Sequence, residues 1–136
     1  MQNPPPGLTG KSSTGLDENI AALLAYIFGW VSGLIFFLIE KDSKLVRFHA
    51  MQSILFNVAV GVLCFALWIV SFVLVLIAAQ LADIMGTLVG LLAFLIWLIV
   101  LGGALIALIL CLVRAYQGKF FKLPFIGDLA EKIVNK

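Results

Sequence analysis

A chain of 136 residues with 63% hydrophobic and 12% charged side chains is far more apolar than a soluble domain, where the shares are roughly half and about a quarter. That composition excludes a soluble globular protein, and a net charge of +2 with no basic face carrying stacking aromatics excludes nucleic-acid binding. The length suits one domain, and the fold class it predicts is an all-α integral membrane protein.

The first eighteen residues open with MQNPPPGLTGKSSTG, rich in Pro, Gly, Ser and Thr. With almost nothing to bury, residues 1–18 are expected to form a disordered tail. They lack a basic stretch leading into a short apolar core with a small-residue cleavage site, so no secretory signal is expected.

The first expected span is Ile20–Ile39, preceded by Asp17 and Glu18, which suit a helix N-terminus. At ~1.5 Å per residue it is about 30 Å long, the thickness of a bilayer core. Gly29 and Gly33 form a GxxxG pattern that, with Ala22 and Ala25, predicts a helix-packing face. Glu40–His49 is a charged connector carrying Lys41, Lys44 and Arg47.

Two longer apolar runs follow, Ala50–Ala82 and Ile84–Val113, separated around Asp83. The membrane domain is therefore expected over 19–118, with spans near 20–39, 50–80 and 86–115. Four spans are the alternative, but they would drive Asp83 towards the bilayer at roughly 2.5–3.5 kcal/mol if central. With three spans the connector and the C-terminal tail share a basic side, while the N-terminal tail and the Asp83 turn face the other way with only Lys11. The positive-inside rule then predicts a multi-pass protein of the plasma membrane with its N-terminus outside and its C-terminus cytoplasmic.

Gly103, Ala107, Cys111 and Ala115 recur at four-residue steps in the third run and predict a second packing face. Gly118 is placed to end that helix. Within the tail, 119–136, Pro124 resets the chain. Phe125, Ile126, Leu129, Ala130 and Ile133 then share one face, as in an interfacial amphipathic helix.

Chemistry is sparse. His49 is the sole histidine and Asp83 the sole acid between Asp42 and Asp128, so neither a catalytic pair nor a metal site can be assembled, and no cofactor is expected. Cys64 and Cys111 lie in apolar runs and read as packing residues. The distinctive feature is the entry to the second run, where Arg47, His49, Gln52, Ser53 and Asn57 put polar groups on a greasy helix. Such groups usually hydrogen-bond to neighbouring helices; the alternative is that His49, Ser53 and Asn57 line a conduit in an oligomer.

Several stretches carry a family resemblance: Asn19–Tyr26 (NIAALLAY), Val46–Ser53 (VRFHAMQS), Arg114–Gly118 (RAYQG), Lys122–Pro124 (KLP) and Ile126–Asp128 (IGD). Through them the chain resembles small prokaryotic multi-span membrane proteins related to the twenty-kilodalton subunit of the chloroplast inner-envelope protein-import translocon. That resemblance implies a helical membrane domain without catalytic residues, linked to protein translocation. The expected function is a non-enzymatic scaffold or accessory subunit, its partners being the lipid bilayer and a second copy or an envelope complex. A small oligomeric channel or transporter is the alternative.

Overall fold

Helices account for all the regular structure in a computed structural model that describes residues 10–136. They are α1 (Glu18–Ile27), α2 (Trp30–Ile39), α3 (Lys44–Leu81), α4 (Asp83–Tyr116) and α5 (Ile126–Val134). No strand occurs among the described residues; Lys11 and Asp17 form an isolated bridge. The chain divides into two compact units, Met1–Val58 with Ala107–Lys136, and Ala59–Ile106.

The expected first span is not one helix. It is broken at Phe28 and Gly29 into two ten-residue arms, and Gly29 has φ +62°, a left-handed conformation that L side chains resist. The second arm turns back. Tyr26 in α1 meets His49 and Gln52 of α3, Gly29 lies against Asn57, Gly33 in α2 lies against Ala50, and Arg47 sits over the Phe37 ring. Contacts therefore climb α3 along one arm and descend it along the other. Ser32 closes the turn, accepting from the Phe28 amide at 3.1 Å and donating to the Ala25 carbonyl at 3.0 Å. The sequence read as a continuous span because its apolar run is unbroken, and one glycine reverses it.

Both ends of this hairpin are locked together. From Gly10 onward the expected tail is a closed turn, with Ser12 N–H donating to Leu16 O and Glu18 N–H to Gly10 O. Its Ser13 binds Glu40, which is fully buried. Residues 1–9 of the expected tail lie outside the described residues. Ser43 accepts the Val46 amide at 3.2 Å and so caps the start of α3.

Small side chains permit the close packing of this unit. Ala21, Ala22 and Ala25 of α1, Ala50 of α3 and Ala115 of α4 are all fully buried. Helix α4 ends in a Schellman motif: Gly118 (φ +67°) donates to Ala115 O and Lys119 N–H to Arg114 O. Helix α5 buries Gly127 and Ala130 against its own unit, while Phe125 and Leu129, expected on the apolar face of an interfacial helix, are 89% and 47% exposed. Asp128 pairs with Lys122 across the turn that precedes α5.

In the second unit, α3 and α4 run as a hairpin joined at Ala82. Asp83 stands in the first turn of α4, where its charge suits the helix dipole. Gly86 lies so close to Ala79 that an added Cβ would sit 3.0 Å from the Ala79 Cβ. Leu67, Ser71 and Leu74 face Val89, Ala93 and Ile96 across a shallow apolar groove. The outer faces are bare hydrocarbon; Phe65, Trp68 and Phe72, stacked along α3, are each more than half exposed. Two helices of this length and composition can each cross a ~30 Å bilayer core. The structure thus has two long apolar helices and a pair of short ones where three spans were expected.

Candidate functional site

The Phe48–Ser53 segment enters α3 with its polar side chains turned inward, and His49, Gln52 and Ser53 are all fully buried. Each has a defined partner. His49 Nε2 lies 2.8 Å from the Lys119 carbonyl, which can only accept, so Nε2 carries the proton. Nδ1 lies 3.0 Å from the Tyr26 hydroxyl oxygen, within hydrogen-bond distance.

Gln52 completes the cluster. Its Nε2 donates to the Phe121 carbonyl at 2.9 Å and to Tyr26 Oη at 3.1 Å, with Cys111 Sγ at 3.6 Å. Its Oε1 accepts the Leu123 amide at 3.2 Å. One amide side chain therefore holds both edges of residues 121–123. Gly127 lets α5 close over this point: a Cβ there would fall 2.5 Å from Lys122 Cα and 2.9 Å from Gln52 Oε1. Phe48 adds an edge-on ring contact with Phe120 at 5.5 Å.

Ser53 and Asn57 serve the other end of the segment. Ser53 Oγ donates to the Gly29 carbonyl at 3.1 Å, fixing the hairpin turn. Asn57 Nδ2 donates to Ser53 O in its own helix at 2.8 Å, and its Oδ1 faces the Gly29 Cα. Arg47 donates to the Glu40 carbonyl at 2.8 Å and covers Phe37. The five expected polar residues thus come together on one stretch of α3, each bonded within the protein, and none lines an open passage in its own unit.

The expected packing residues separate. Gly33 is a true contact, where a Cβ would lie 2.9 Å from the Ala50 carbonyl oxygen. Gly29 turns the chain and also packs, since a Cβ there would lie 3.1 Å from Asn57 Oδ1. An added Cβ at Gly103 meets nothing within 4 Å, and Ala107 is half-buried.

Sequence reasoning passed over Tyr26 and Glu40. Tyr26 closed the NIAALLAY stretch but was not linked to His49. Glu40 looked like part of a solvated loop. Its Oε1 instead accepts from Ser13 Oγ at 2.7 Å and from the amides of Ser13, Asp42 and Ser43 at 2.9–3.0 Å. Burial works to raise its pKa, but the Ser43 amide, the Ser13 hydroxyl and amide and the Asp42 amide outweigh it, lowering the carboxyl to about 2. Ser13, two residues before Gly15 in a polar stretch, carried no local signal of a long-range bond.

Known proteins resemble this chain over most of its length. The family model described as the magnetosome magnetite crystal formation protein family, MamF/MmsF, matches residues 16–130. A UPF0132 membrane protein of Methanocaldococcus jannaschii is 42% identical over 90% of this chain and 94% of its own. A UPF0132 membrane protein of Archaeoglobus fulgidus is 37% identical over 88% of this chain and 98% of its own. A second from M. jannaschii is 32% identical over 87% of this chain and 71% of its own. No solved structure matches. None of these names refers to protein import, so the likeness to a chloroplast translocon subunit rests on the sequence motifs alone. The match over nearly the whole helical region and the shared lengths place this chain in the MamF/MmsF family of prokaryotic membrane proteins that includes the UPF0132 proteins.

Proposed function

We propose that the chain is a non-enzymatic, multi-pass membrane scaffold that acts through its lipid-level helix surfaces as an accessory subunit of an envelope complex. The carrying observation is how its polar groups are used. His49, Gln52, Ser53, Asn57, Tyr26 and Glu40 are bonded inside the fold, while the long helices present outward-facing hydrocarbon. A reaction centre would need polar groups held ready for a substrate. A conduit would need them facing an opening, which weighs against the channel reading.

The family description attaches magnetite crystal formation to its members. No mineral-binding chemistry is carried over, because among the described residues no three His, Cys, Asp or Glu come together to hold a metal ion. A link to protein translocation has only the sequence resemblance behind it.

The partner in this reading is a second copy or another membrane protein, met along surfaces such as those around Gly61 and Gly103, where no described residue lies within 4 Å of an added Cβ. A photo-crosslinking residue placed at Gly61 or Gly103 in native membranes is expected to yield protein adducts of discrete mass. Adducts to lipid alone at both positions would overturn the scaffold reading.

A further inference from the structure

The α1–α2 hairpin is nearly all apolar yet too short to cross. Each ten-residue arm is about 15 Å long, half of a ~30 Å bilayer core. Its tip and flanks are uncovered: Phe28 is 76% exposed and Leu38 66%, and Trp30, Ile27 and Ile35 are at least half exposed. Its base is polar and closed, with Ser13 bonded to Glu40 and Asp42. Asn19 at that same end donates to the Tyr116 carbonyl, so the base lies beside the end of α4. Hydrocarbon at the tip and a polar lock at the base describe an object inserted from one side.

The charges agree. Two crossings by α3 and α4 together with a hairpin that returns place Lys11, Lys41, Lys44, Arg47, Arg114 and every later cation on one side. All 9 Lys and Arg then share that side, and the Asp83 turn on the other has none. This asymmetry is sharper than that of three spans, and positive charge is retained on the cytoplasmic side.

We infer that α1–α2 is a re-entrant wedge occupying only the leaflet on the basic side, and that by crowding the acyl chains of that leaflet it gives the protein a preference for curved membrane. The occupant of its exposed surface is lipid hydrocarbon. Lys11 and the turn before α1 share the side of Lys136, unlike the outward N-terminal side expected from three spans. The proposed function enters only in taking α3 and α4 as membrane-crossing, and an absence of protein partners would leave the wedge untouched.

The test uses the full chain with Cys64→Ala, the 1%-exposed Cys111 being left in place. A Thr14→Cys/Lys136→Cys double variant is reconstituted into giant vesicles of phosphatidylcholine with a minority of phosphatidylglycerol. A membrane-impermeant fluorescent maleimide is then added outside. Single molecules are expected to carry two dyes or none, because both sites face the same side. One dye on nearly every molecule marks a through-going span and overturns the inference. Molecules with two dyes all have the basic side outward, and in tubes pulled from these vesicles they are expected to be enriched relative to a lipid dye. A tube-to-vesicle ratio of one or less, with correct double labelling, overturns the wedge.

Discussion

Replacing Gln52 with leucine tests how the Phe48–Ser53 segment holds residues 119–125, the strap between α4 and α5. Leucine keeps most of the volume but removes the bonds to the Phe121 carbonyl and the Leu123 amide. Each buried backbone group left without a partner costs about 1–3 kcal/mol. Because the strap can rise to meet water, the expected loss is in the lower part of the summed range, about 2–4 kcal/mol. At 1.4 kcal/mol per tenfold, that raises the local opening constant about thirtyfold to several hundredfold. Hydrogen exchange at the Leu123 amide in mild detergent reads it directly, with far-UV circular dichroism as the control that α3 and α4 persist. An increase below about threefold, the reach of ~0.6 kcal/mol, would refute the clamp.

Gly33→Ala forces a Cβ to within 2.9 Å of the Ala50 carbonyl oxygen and should cost about 1–3 kcal/mol in thermal unfolding, as overpacking does. Gly103→Ala meets open space and should be neutral or stabilising by up to ~1 kcal/mol through helix propensity; equal effects at the two sites would erase the distinction between them. Glu40 binds its proton more weakly in the fold than in the unfolded chain, so its stabilisation is complete above the ordinary value of 4.5 and fades as pH falls towards about 2. Protection of the Ser13 amide should follow that window, and Glu40→Gln should lose the pH dependence. Phe125 sits at φ +63° in a tight turn closed by Ile126 N–H to Pro124 O, with its ring 89% exposed. Phe125→Gly should therefore stabilise the strap by about 1 kcal/mol, seen as slower exchange at the Gly127 amide.

The long helices were legible because thirty-residue apolar runs leave few other outcomes: the expected spans near 50–80 and 86–115 lie within Lys44–Leu81 and Asp83–Tyr116. Gly118 was legible for a local reason, the left-handed residue that ends a helix. The Arg47–Asn57 stretch could be recognised as special, but its partners could not, since Lys119, Phe121 and Leu123 contribute backbone atoms that leave no residue-type signal. Gly29 misled in an instructive way. In a GxxxG pattern it suggests a helix face, yet its positive φ makes it the point of reversal, and hydropathy cannot distinguish a span from two half-spans. Gly103 shows the converse, a small residue at packing spacing with no described residue within 4 Å of an added Cβ.

The return of α2 beside α1 underlies both the lock at Glu40 and the one-leaflet wedge, and one distance decides it. Spin labels at Thr14 and Lys41, measured by double electron–electron resonance in lipid nanodiscs, report the separation of the two ends. Ser13 and Glu40 hydrogen-bond directly, so the labels should lie within ~20 Å of each other. A continuous helix over residues 18–39 would hold its ends about 33 Å apart. A distance of that size would contradict the hairpin and restore a through-going first span.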